Sequence, residues 1–125
     1  MPKDLPEAVR EIRLRDGTYK EEAYYFLLEA LEITIHGLKK RRHVDGRELL
    51  DGVRRLALRR FGPTSRMVFE YWGIRKTDDF GRIVFQLIDA GVLSKTETDS
   101  PEDFAGVYDF KTEFEDGYGW TSDYD

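Results

Sequence analysis

Apolar positions recur at helical spacing through most of the chain. Residues 5–15 fit a short first helix, with Pro6 in its first turn and Asp16-Gly17 as the stop. The longest helical pattern runs from Tyr19 to Leu38. Projected at about 3.6 residues per turn, it places Ala23, Phe26, Leu27, Ala30, Leu31, Ile33, Thr34, Ile35 and Leu38 on one broad arc. Tyr25, Glu29, Glu32 and His36 fill the narrow polar remainder. So apolar a segment is expected at the centre of the fold, followed by a basic loop from Lys39 to Val44.

A further helix over Gly46–Phe61 puts Leu49, Leu50, Val53, Leu56, Ala57 and Arg60 on one inward stripe. Arg47, Asp51, Arg54, Arg55 and Arg59 remain on the wet side, where Asp51 and Arg55 are spaced to pair, and Leu58 also points outward. Gly62-Pro63 ends this helix and starts another that reaches Trp72, with Met67, Val68, Tyr71 and Trp72 as its buried set. After the stop at Gly73, Thr77 is the expected N-cap of a helix closing at Ala90-Gly91, with Asp78 and Asp79 suited to its positive end. Its inward face is Phe80, Ile83, Val84, Leu87 and Ile88, and Gly81 within it predicts close approach by a neighbouring element.

Beyond Gly91 the period changes. Val92–Thr96 and Gly106–Thr112 alternate over short runs and predict a small antiparallel ribbon, with a single helical turn at Ser100-Pro101-Glu102-Asp103 between them. The fold class expected is therefore mainly α with a C-terminal two-stranded β ribbon (α+β), on a core of four to five helices. Residues 1–114 form one domain and 115–125 an acidic aromatic tail.

Composition narrows the function classes. A chain of 125 residues leaves room for one domain, and 40% hydrophobic with 14% aromatic residues is core enough to fold despite a mean hydropathy of -0.60. No cysteine is present, which excludes disulfides, thiolate metal sites and thiol nucleophiles. No apolar run approaches the roughly 18 residues of a membrane span, and MPKDLPEAVR lacks a secretory apolar stretch, so a cytoplasmic setting with no membrane association is expected.

Charge is segregated. Residues 96–125 carry ten acids against Lys111 alone, a local -9 that leaves +4 on the rest of a chain whose total is -5. Lys39 to Arg60 holds nine bases against Asp45, Glu48 and Asp51. Such asymmetry marks either a basic contact surface or an acidic segment folded back onto one.

Three further groups of residues carry a resemblance. They are His43-Val44-Asp45-Gly46-Arg47-Glu48-Leu49-Leu50, then Arg60-Phe61-Gly62 with Trp72-Gly73-Ile74, then Asp79 to Phe85 with Ala90-Gly91-Val92 and Tyr108-Asp109-Phe110. Over Tyr19 to about Phe114 the chain resembles a small uncharacterised bacterial family, a domain of unknown function met among planctomycetes and verrucomicrobia. That resemblance implies a self-contained cytosolic domain and brings no substrate, cofactor or functional residue with it. The element order in the second half is also similar to a winged helix-turn-helix, whose recognition helix would be Thr77–Ala90. The acids Asp78, Asp79, Glu97, Asp99, Glu102 and Asp103 would then face phosphates, a strong objection to duplex binding in that pose.

Candidate chemistry is thin. Glu29, Glu32 and His36 share a helix face and supply at most half of a carboxylate–histidine metal site or a carboxylate enzyme, a remote alternative beside a plain polar stripe. Phosphate-cradling glycine loops, nucleophile elbows and zinc-protease helices are absent from the sequence. The function expected is a non-enzymatic protein-binding or adaptor domain without cofactor or metal, acting on a protein partner or a second copy. Its candidate surface is Lys39, Lys40, Arg41, Arg42, Arg54, Arg55, Leu58 and Arg59, together with Tyr118, Trp120 and Tyr124 as tail anchors. RNA, ribosome or DNA contact by the same basic helix face is the alternative, disfavoured by the net charge.

Overall fold

The computed structural model describes residues 4–40, 42–94 and 100–116. Five helices follow in order: α1 (Leu5–Arg15), α2 (Glu21–His36), α3 (Gly46–Phe61), α4 (Ser65–Tyr71) and α5 (Thr77–Asp89). Their ends are set by local chemistry. Asp4 accepts from the amide of Glu7 at 2.8 Å with Pro6 in the first turn of α1, and Asp45 and Glu48 form a reciprocal capping box at the start of α3. Gly62-Pro63-Thr64 makes a 3-10 turn between α3 and α4.

α2 packs most extensively on α3, as its apolar arc predicts, burying Ala23, Phe26, Leu27, Ala30 and Thr34. The two axes come close where a Cβ on Gly52 would stand 2.0 Å from Thr34 Oγ1. At the far end of the molecule the α4–α5 turn clasps the α1–α2 turn: the Lys20 amide donates to the Trp72 carbonyl at 3.1 Å, and Gly73 adopts φ +94 beside the Thr18 carbonyl. Only glycine takes that backbone conformation without strain.

The expected ribbon is not there. Among the described residues no strand forms, and the fold is helical throughout. Val92 and Leu93 wrap the end of α5, both amides donating to the Leu87 carbonyl, while Lys95 and Thr96 lie outside the described residues. Residues 100–116 instead run as a strap from α5 across α3 to α4, through a 3-10 turn (Pro101–Phe104) and a π-helical turn (Lys111–Asp116). Its backbone finds partners in side chains rather than in a second strand: Gly106 N donates to Asp78 Oδ1, Val107 N to Thr77 Oγ1 and Thr112 N to Asp109 Oδ2. Thr77 is consequently not the N-cap expected, because its hydroxyl donates to the Phe104 carbonyl at 2.7 Å. Without a strand pair, the wing of a winged helix has no counterpart among the described residues, and the first turn of α5 is covered by the strap.

What the strap supplies is aromatic core. Phe104, Phe110 and Phe114 are buried, and Phe69 of α4 sits among Phe26, Phe80, Phe110 and Phe114 with ring centroids 5.2 to 5.6 Å away. Tyr108 pins the strap by donating to the Leu50 carbonyl at 2.6 Å. Gly81 meets Phe104, whose Cβ lies 2.8 Å from where a glycine Cβ would be, which is the close approach expected of that glycine. Around α4 Trp72 is buried as expected and Val68 is half-buried, but Met67 and Tyr71 are exposed, and Ser65 and Phe69 face inward in their place.

Candidate docking surface

The basic residues of the α2–α3 corner divide by whether an acid reaches them. Arg42 forks onto Glu48, Nη1 to Oε1 at 2.9 Å and Nη2 to Oε2 at 2.7 Å. That fork, with the Asp45 amide, holds the Glu48 carboxyl down to about 2. Asp51 receives both Arg54 and Arg55 at 3.0 Å, and Arg54 also faces Glu113 of the strap at 3.6 Å. Arg60, expected on the inward stripe, is exposed and forks onto Glu29 of α2. Arg66 meets Glu70 and Glu115. Within the described residues the acidic C-terminal part therefore reaches the basic helix through Glu113 on Arg54, while Glu115 reaches Arg66 of α4.

Arg47 and Arg59 are different. Both are exposed, and neither has an acidic partner among the described residues; the same holds for Lys39 and Lys40 in the turn after α2. Leu58, expected to point outward, is half-buried against the core and is not a free contact. Arg41, Tyr118, Trp120 and Tyr124 lie outside the described residues.

Arg47 and Arg59, with Arg55, border a groove of about 500 Å³ between the C-terminal half of α2 and the outer edge of α3. Ile33, 39% exposed, Leu38 and Leu56 give it an apolar floor, with Gly37 and Gly52 also lining it. The arginines and Asp51 recur at every fourth position of α3 and so form one ridge along the helix. Sequence spacing alone placed the arginines on the wet face. It did not place an exposed isoleucine beside them, since Ile33 was expected on the buried arc.

A second groove, about 400 Å³, opens between α2, α3 and α5, with Leu31, Ile35, Val84, Ile88 and Leu93 on its walls and Arg42 at its edge. The guanidinium of Arg42 is already committed to Glu48, so this side chain offers no free positive charge to an occupant.

Elsewhere, one polar network escapes sequence reasoning. Tyr19 donates to Asp79, which also accepts from the amides of Arg75 and Lys76 at 2.8 and 3.1 Å, and Tyr24 donates to Gln86, which donates in turn to Asp16. The acid at the start of α5 was the visible half of this arrangement; its tyrosine partner comes from another element. Every member is satisfied, which marks a structural junction. Glu29 is taken by Arg60, and Glu32 and His36 stand 4.0 Å apart as an exposed i, i+4 pair. Among the described residues no three His, Asp or Glu side chains converge as metal ligands. No described helix is long and apolar enough to cross a membrane.

No protein-family model, curated protein or solved structure matches the chain.

Proposed function

We propose that this chain is a non-enzymatic, cytoplasmic protein-binding module whose docking face is the α2–α3 groove. One observation carries the reading: the two α3 arginines left without an acid among the described residues, Arg47 and Arg59, both border the groove whose floor exposes Ile33. Apolar contact area supplies affinity in such sites, and rim charge supplies selection and encounter rate. Nucleic-acid contact by the same arginines is the second reading. The total charge of -5 weighs against it. A second copy of the chain is a further occupant the reading admits.

The test compares tagged full-length chain with its Arg47→Glu/Arg59→Glu form, both expressed in the native host, by co-purification and mass spectrometry with and without ribonuclease. A protein retained by the first, lost by the second and indifferent to ribonuclease is the expected result. Retention unchanged by the double substitution, or abolished by ribonuclease, contradicts it.

A further inference from the structure

Resting on that reading, we infer that the occupant of the α2–α3 groove is an acidic amphipathic helix of a partner protein, with its carboxylates at the two ends of the α3 ridge rather than beside Asp51. The walls of the groove are two helices, and no sheet edge lies along it among the described residues. An extended peptide would leave its backbone N–H and C=O groups unpaired there, whereas a helix satisfies its own. The floor takes apolar side chains on Ile33, Leu38 and Leu56.

The rim sets the charge pattern. At about 1.5 Å per residue, Arg47 and Arg55 are separated by roughly 12 Å along the axis and Arg55 and Arg59 by roughly 6 Å, a ridge as long as about three helical turns. Arg55 is already engaged by Asp51, so the carboxylates of the occupant are drawn chiefly to Arg47 at one end and Arg59 at the other. Glu48, which also lines the groove, is neutralised by Arg42 and does not oppose them. Asp51 is held by Arg54 and Arg55, so the middle of the ridge leaves no arginine free to draw a carboxylate of the occupant. Lys39 and Lys40, in the turn beyond α2, extend the positive field at the end of the groove.

The test uses synthetic helical peptides of about four turns and the methyl NMR signals of Ile33, Leu38 and Leu56 in the full-length chain. One peptide carries a leucine stripe flanked by glutamates that skip the position facing Asp51; a second has lysine for each glutamate; a third is a scramble of the first that destroys its amphipathic face. An oligouridine of matched charge is the fourth probe. The glutamate peptide is expected to shift the groove methyls saturably and to weaken with ionic strength. Its affinity should fall about tenfold or more in the Arg47→Glu/Arg59→Glu chain, which should instead take the lysine peptide. Arg10→Glu, on α1, should change neither.

Equal binding by the lysine or scrambled peptide overturns the acidic helix while leaving the groove as a docking face. Shifts with oligouridine and not with the peptide overturn it in favour of nucleic acid. If no probe moves these methyls the inference is wrong, and an unchanged co-purification in the double variant then removes the docking reading as well.

Discussion

Tyr19 donates its hydroxyl hydrogen to Asp79 Oδ1 at 2.6 Å, a buried contact between residues 60 apart in sequence that ties the α1–α2 turn to the first turn of α5. Asp79 meanwhile accepts the amides of Arg75 and Lys76 and so holds the entry of the helix. Tyr19→Phe should cost about 1–3 kcal/mol, because a buried acceptor loses one hydrogen bond and keeps the two amides and the Arg82 contact. Asp79→Ala should cost more, since it strands the Tyr19 hydroxyl and two amides together. Urea unfolding of both and of the double variant should show coupling beyond about 0.5 kcal/mol.

Alkaline pH should loosen the same junction. Burial, reinforced by the bond to Asp79, pushes the Tyr19 phenol well above its usual range; burial and then the Asp16 charge raise Tyr24 to about 12, and burial raises Tyr108. A phenol that holds its proton more tightly when folded gives its full stabilisation below the ordinary value near 10 and loses it as pH climbs from there toward the folded value. Unfolding free energy should be flat between about pH 8 and 9.5 and fall above about 10, more gently in Tyr24→Phe.

On the acid side the sign reverses. The Arg42 fork, and after it the Asp45 amide, hold Glu48 down to about 2 from an ordinary 4.5, so its contribution is complete above 4.5 and disappears as pH falls toward about 2. Because the pair is largely exposed, the loss should stay under about 1 kcal/mol and shrink with salt. Glu48→Gln should flatten that part of the acid unfolding curve.

The α2–α3 crossing gives a steric prediction. Gly52→Ala drives a Cβ onto Thr34 Oγ1 at 2.0 Å and should destabilise by about 1–3 kcal/mol. Adding Thr34→Ala removes the clash, and alanine is the better helix former by about 1 kcal/mol, so the pair should return to within about 1 kcal/mol of the parent. Thermal melts of the four proteins check it.

These contacts also show where sequence was informative. The long helices were legible because α2, α3 and α5 carry amphipathic stripes over three or more turns and end on residues with one conformational role, such as Asp45 or the Gly62-Pro63 pair. α4 has only two turns, too few for periodicity to separate Met67 and Tyr71 from Phe69. The strap was misread as a ribbon because a short alternating run says nothing about its partner; Phe104, Phe110 and Phe114 are anchors in a helical core, and the backbone between them is satisfied by Asp78, Thr77 and Asp109.

Pairing at the candidate surface divides in the same way. Asp51 with Arg55 is local and follows from spacing, whereas Arg60 with Glu29 and Arg54 with Glu113 depend on tertiary packing. Only once those partners are known do the two arginines left over, Arg47 and Arg59 at the groove that exposes Ile33, stand out from their neighbours.

Photo-crosslinking compares two exposed apolar positions directly. A benzophenone amino acid replaces Ile33 in the groove in one chain and Met67 on α4 in another, the latter 68% exposed, and each is irradiated in living cells. The account predicts a covalent protein adduct from position 33 that disappears when Arg47 and Arg59 are reversed, and none from position 67. An adduct from position 67 alone, or one from position 33 made only to RNA, would contradict it.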